Sequence, residues 1–165
     1  MTRKELVDRI ERSWRELDDL AGTADDESLR APVADGWTVK DHLVHLAAWE
    51  ESLLALLEGR DRAAAMGAAG MEDGGADAIN AAVFEQHRDE APDKALAGFR
   101  ETHGRLLERL DELRDEDLSR PYSHFQPGTD DERPVGGWVA GNTFEHYAEH
   151  LSYIRPALKR KVDAP

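Results

Sequence analysis

Apolar residues in this chain return at three- and four-residue intervals, and nowhere do they alternate with a period of two. Such spacing gathers them on one side of a helix and leaves nothing to cover the face of a sheet. Leu6, Ile10, Trp14, Leu17 and Leu20 form the first stripe, in a helix expected from Thr2 to about Ala21. Thr2 and Glu5 have the spacing of a capping box, and Gly22 is placed to stop the helix. A second helix starts at Thr38, with Asp41 completing its cap, and runs to about Glu58 before Gly59. Its stripe is Leu43, Leu46, Ala47, Leu53, Leu54 and Leu57. Ala76 to Glu90 carries Ile79, Val83 and Phe84. After Pro92, a helix capped by Asp93 carries Leu96, Phe99, His103, Leu106, Leu107 and Leu110 to about Arg114. These two segments also fit one kinked helix. The last helix is expected from about Trp138 to Val162, with Trp138, His146, Tyr147, His150, Ile154 and Ala157 inward and a kink or lost hydrogen bond near Pro156.

Between the helices lie a polar connection from Asp25 to Gly36 and an Ala/Gly-rich, irregular loop from Arg60 to Gly75. A long connection from Asp115 to Gly137 is broken by Pro121, Pro127 and Pro134. Its Tyr122, His124 and Phe125 suit either a pocket wall or a loop packed down by its aromatics. The sum is an all-α four-helix bundle with short extra helices and long loops, a single domain over residues 1–165.

The net charge of −14 argues against sequence-independent binding to nucleic acid and against anionic membrane surfaces. There is no run of 18 apolar residues and no signal-peptide pattern at the start, so a cytoplasmic location and no membrane partner are expected. The chain has no cysteine, which removes thiolate nucleophiles and Cys-based zinc sites. Any metal must be held by His, Asp, Glu or water.

His146 and His150 stand four residues apart in the last helix, on one face, where two imidazoles can close on one ion. His45 falls on an inward position of the second helix, which makes three candidate ligands, the number that commonly leaves room for water or substrate. Neutral imidazole suits zinc, nickel, iron or copper. The same spacing also fits three hydrogen-bonded core histidines. His42, one turn before His45, is its competitor. His87 and His103 lie on other helices and His124 in a loop, and each could be a surface residue. The pattern is not the HExxH of metalloproteases, because Tyr147 follows His146. Glu149 points away from the histidine face. Glu50, beside Trp49 and amid apolar residues, could act as a base, orient a ligand or simply edge the stripe. Asn142 could hold a ligand or a water, or simply start the helix. No phosphate-binding glycine loop and no nucleophile elbow is present.

The segment Gly36-Trp37-Thr38-Val39-Lys40-Asp41-His42-Leu43-Val44-His45-Leu46-Ala47-Ala48-Trp49-Glu50 resembles the second-helix signature of the DinB-like superfamily, in its DfsB-type branch. Asn142-Thr143-Phe144-Glu145-His146-Tyr147-Ala148-Glu149-His150 resembles the closing signature of that branch. The resemblance implies an up-down-down-up bundle with a long crossover and a divalent metal, often nickel or zinc. Carried over by motif, its ligands are His45, His146 and His150. It further implies thiol-dependent transferase, isomerase or hydrolytic chemistry on small, reactive molecules, in detoxification or stress response, and frequent homodimers. His42, Trp49, Asn142 and Tyr147 would line the pocket or stand behind the ligands, with Glu50 as proton acceptor. With no cysteine, a thiol would come from a low-molecular-weight cosubstrate. Two other readings remain open on the sequence: a non-catalytic binding or stress-response bundle with a structural metal or none, and a metal-independent hydrolase using the same cavity.

Overall fold

The computed structural model describes residues 1–162, with side chains to Leu158. The helices in chain order are α1 (Arg3–Gly22), α2 (Asp26–Leu29), α3 (Val39–Leu57), α4 (Arg62–Ala65), α5 (Gly75–His87), α6 (Pro92–Asp111), α7 (Tyr122–Phe125), α8 (Val135–Gly141) and α9 (Phe144–Val162). Single 3-10 turns lie at Glu72–Gly74 and Asp115–Ser119, and no strand occurs among the described residues. Both expected capping boxes form. Thr2 and Glu5 close the start of α1, and Thr38 and Asp41 close the start of α3. Gly59 takes a φ of 67° directly after α3, a left-handed conformation that costs glycine little.

The four long helices are α1, α3, α6 and α9, and side-chain contacts fix their directions. Arg3, at the start of α1, meets Asp111 at the end of α6, and Asp18 meets Arg100, so these two run antiparallel. Arg9 lies over Phe144 and Glu16 pairs with Arg155, so α1 and α9 run parallel. His42 meets His150 while His45 meets His146, which makes α3 antiparallel to α9. Glu50 meets His103 and the Leu57 carbonyl accepts from Arg109, which makes α3 parallel to α6. The result is the up-down-down-up order. A parallel neighbour cannot be reached by a short turn, so the chain from α3 to α6 must travel back along the bundle. That path is the crossover containing α4 and α5.

The crossover changes the environment of α3. A helix in a four-helix bundle ordinarily buries one stripe. In α3, Val39 to Leu46 and Ser52 to Leu57 are buried almost without interruption. A second, smaller core explains this: Val44 packs with Met66, Ala68, Val83 and Ala95, flanked by Trp49 and Ile79. Buried Lys40 ties the crossover down by donating to the carbonyls of His87 and Arg88 at 2.8 and 2.9 Å. The expected Arg60–Gly75 loop therefore contains one short helix and a 3-10 turn. The next segment is a helix separate from α6, which begins at Pro92.

The final segment also differs from expectation. It divides at Asn142, where Thr143 Oγ1 returns to the Val139 carbonyl at 2.6 Å and Asn142 Nδ2 to the Trp138 carbonyl at 2.8 Å. These local bonds compete with a continuous helix, so Trp138 belongs to α8. Pro156 lies inside α9, which continues past it to Val162. No helix among the described residues is long and apolar enough to cross a membrane.

Candidate metal centre

α3 and α9 bring together the three histidines expected from the sequence. His45, His146 and His150 can each offer one ring nitrogen, all within 4.8 Å of one another. His45 Nε2 lies 3.0 Å from His146 Nε2, and His150 Nε2 lies 3.1 Å from the same atom. A neutral imidazole nitrogen carries either one proton or one lone pair. His146 Nε2 can therefore complete a proper hydrogen bond with only one of its two neighbours. An ion accepts a lone pair from all three. Nitrogens held at about 2.1 Å from one ion stand about 3.0 Å apart at right angles and about 3.4 Å apart in a tetrahedron. These two separations fall in that range and the third lies within 4.8 Å, so the residues present fit a divalent metal.

Their protonation agrees. Burial, with the neighbouring imidazoles His146 and His42, holds His45 down to about 3. Burial takes His146 to about 4. His150 falls to about 2 through burial and the crowding of His45, His146 and His42. All three rings are neutral at pH 7, as ligation requires.

Around the cluster stands a wall of aromatic side chains. Trp37 presents its edge to His45 at 5.2 Å and stacks on Phe84 of α5 at 6.0 Å. Trp49 lies 6.2 Å from both His45 and His146, and its Nε1 donates to Asn80 of α5 at 3.0 Å. The space between Trp37, His45, Asn80 and Phe84 is about 10 Å³, room for about one water. A cavity of about 430 Å³ lies on the far side of Val44 and His87, floored by Ala48, Met66 and Phe99, and none of the three histidines lines it.

His42 is fully buried and sits behind the cluster, its Nδ1 2.6 Å from His150 Nδ1. Tyr147 and Glu50 sit elsewhere. The Tyr147 hydroxyl donates to Glu50 Oε1, and His103 Nδ1 lies 3.0 Å from the same oxygen. Burial and the Glu50 carboxylate push the Tyr147 phenol well above its ordinary range. Both Glu50 and Tyr147 have no exposed surface, and His103 is buried too, stacked on Trp14 at 4.1 Å and 3°. Glu50 Oε2 and His103 Nε2 have no protein partner. Sequence reasoning missed this second cluster. Its signal was the inward position of His103 beside Phe99 and Leu106. Asn142 is engaged with α8 and lines a surface depression with Arg133 and Trp138. Glu149 is exposed, as expected.

The DinB superfamily profile matches residues 9–154. No curated protein sequence matches the chain. Among solved structures it is similar to the sibling lethal factor precursor DfsB, at 21% identity and a TM-score of 0.75, covering 99% of both chains. An uncharacterised protein from Escherichia coli UTI89 shares 16% identity with a TM-score of 0.78, over 99% of this chain and 96% of that one. The colibactin self-resistance protein ClbS, in complex with a dsDNA, shares 14% identity with a TM-score of 0.74, over 99% and 97%. These likenesses are of fold. The last one corrects an expectation. Nucleic acid was excluded as a partner on net charge, yet a protein of this fold was crystallised with double-stranded DNA. Net charge sums the whole surface, whereas a duplex meets only the side chains in one patch.

Proposed function

Because the chain belongs to the DinB superfamily, we propose that it is a divalent-metal-dependent enzyme acting on small molecules, with His45, His146 and His150 as the metal ligands. The observation that carries this reading is the meeting of three neutral Nε2 atoms that cannot all satisfy one another. Three protein ligands leave coordination positions for water or substrate. A divalent ion there, zinc or nickel by its imidazole donors, would supply Lewis acidity and bring a water or thiol toward ionisation at neutral pH. Trp37, Trp49 and Phe84 exclude bulk water from the cluster, which strengthens any charge interaction inside it. His146 is the least buried of the three ligands, so a small molecule would approach the nitrogens past its ring. Thiol transfer or hydrolysis are the two reaction types that this arrangement serves. With no cysteine in the chain, a thiol would arrive as a low-molecular-weight cosubstrate. Glu50 is buried against Tyr147 and His103, so proton transfer falls to solvent or substrate at the His146 side.

Metal analysis of protein purified without an affinity tag tests the reading. About one equivalent of metal is expected, and His45→Ala combined with His150→Ala should abolish it. Full retention in the double variant overturns the assignment.

The likeness to ClbS in complex with a dsDNA favours a second reading, contact with a duplex. On this chain the arginines stacked on aromatic rings, Arg62 and Arg133 over Trp138, form the candidate patch. Titration of a labelled duplex at low salt decides it, because phosphate contacts are strongest there.

A further inference from the structure

The geometry behind His150 points to a proton-placing relay, Asp35 to His42 to His150, that keeps the metal-facing nitrogen of His150 bare. It is anchored at its outer end. Asp35 Oδ1 accepts the Trp37 backbone N–H at 3.0 Å, which fixes the orientation of the carboxylate. Asp35 Oδ2 then lies 3.4 Å from His42 Nε2, an atom with no hydrogen-bond partner of its own. A carboxylate facing an imidazole nitrogen favours the proton on that nitrogen. His42 is fully buried, which disfavours a doubly protonated cation, so the ring carries one proton and not two. With that proton on Nε2, His42 Nδ1 is an acceptor. Its neighbour at 2.6 Å is His150 Nδ1, which must therefore be the donor. The remaining nitrogen of His150, Nε2, is left with a lone pair, and this is the atom beside His146 Nε2.

The opposite arrangement fails at one atom. If His42 donated from Nδ1, its bare Nε2 would face the Asp35 carboxylate, and His150 would carry its proton on Nε2, where a metal must bind. Asp35 thus sets, through two rings, which end of His150 is free. His42 and Asp35 act on the site by positioning, since neither offers a nitrogen or oxygen to the cluster. Ring contacts hold His42 in place, with Tyr153 stacked on it at 5.6 Å and 18°, and Trp37 tilted against it at 5.5 Å.

This inference rests on the metal reading for its purpose but not for its proton pattern. The test therefore has two readouts. Two-bond nitrogen–proton correlation spectra of the metal-free protein should show His150 protonated at Nδ1 and His42 at Nε2. Asp35→Asn is nearly isosteric. Its Oδ1 stays on the Trp37 N–H, so its amide nitrogen must face His42 Nε2 and donate to it. The relay then reverses, and His150 should carry its proton on Nε2. Zinc titrated against a chromophoric chelator should bind this variant about 10–100-fold more weakly than wild type, the usual effect of losing a partner behind a ligand. His42→Asn places an amide oxygen near the former Nδ1 and keeps an acceptor for His150. It should retain the wild-type proton position on His150 and most of the zinc affinity. A wild-type spectrum with His150 protonated at Nε2 overturns the relay. So does Asp35→Asn with unchanged spectrum and zinc affinity. A wild-type protein with the expected proton pattern but no affinity for zinc or nickel overturns the metal reading while the relay stands.

Discussion

Two buried histidine clusters share α3 and α9, and their members are near neighbours in sequence: His45 and Glu50 on one helix, His146 and Tyr147 on the other. They are built on opposite principles. Around Glu50 Oε1 the groups are complementary, a carboxylate receiving the Tyr147 hydroxyl and facing His103. Around His146 Nε2 they are alike, three imidazole nitrogens turned toward each other. The first arrangement ties α3, α6 and α9 together through Glu50 Oε1, although Glu50 Oε2 and His103 Nε2 are left without a protein partner. The second leaves at least one nitrogen pair without a proper hydrogen bond, and a group that accepts lone pairs could bind there. A turn of about 100° between adjacent helical residues is enough to send His146 to one cluster and Tyr147 to the other.

Disturbing each cluster in turn should expose the contrast. Glu50→Ala is expected to cost about 3–5 kcal/mol in urea denaturation, because it strands Tyr147 and His103 in the core. A loss below about 1 kcal/mol would erase the distinction. Acid should act mainly on the other cluster. The folded values of about 3 for His45 and about 2 for His150 lie below the ordinary 6.5, so the unfolded chain takes up protons first as pH drops. Stability of the metal-free protein should be complete above pH 6.5 and decline below it. The neighbouring rings titrate as one set, so their combined loss is on the order of 1–2 kcal/mol per pH unit. Urea midpoints at pH 7.5 and 5.5 measure this, and equal midpoints would contradict it. Tyr147→Phe removes one donor from a buried acceptor and should cost about 1–2 kcal/mol by the same assay. The smallest change is expected for His45→Leu without metal. It removes one of two competing partners of His146, and stability should stay within about 1 kcal/mol of wild type. A larger loss would mean that the cluster is itself a structural bond.

The bundle was legible because its signals are local. Thr2 with Glu5 and Thr38 with Asp41 mark helix starts through bonds made within a few residues, while Gly59 after α3 and Pro92 at the start of α6 mark helix boundaries through backbone conformation alone. The histidine cluster was legible for a related reason, since i, i+4 spacing and an inward stripe suffice to aim side chains at a common point. Three features escaped because their partners lie far away in sequence. Glu50 looked available for proton transfer until Tyr147 and His103 enclosed it. His42 looked like a rival of His45, yet its ring nitrogen meets His150 from 108 positions away. The near-complete burial of α3 depends on a crossover whose Ala and Gly residues carry little periodic signal. The division of the last helix escaped for the opposite reason. Trp138 to Val162 keeps its apolar period, and only the side-chain bonds of Asn142 and Thr143 interrupt it.

The parallel course of α3 and α6 has a consequence for how such a protein can diversify. The return path between them is required by topology, whatever sequence fills it, and here it lays Asn80 and Phe84 against the aromatic residues around the histidines. The helices that aim the ligands and the segment that screens them are thus separate inheritances of one chain. Insertions and substitutions in that segment can remake the gate and leave the hearth untouched.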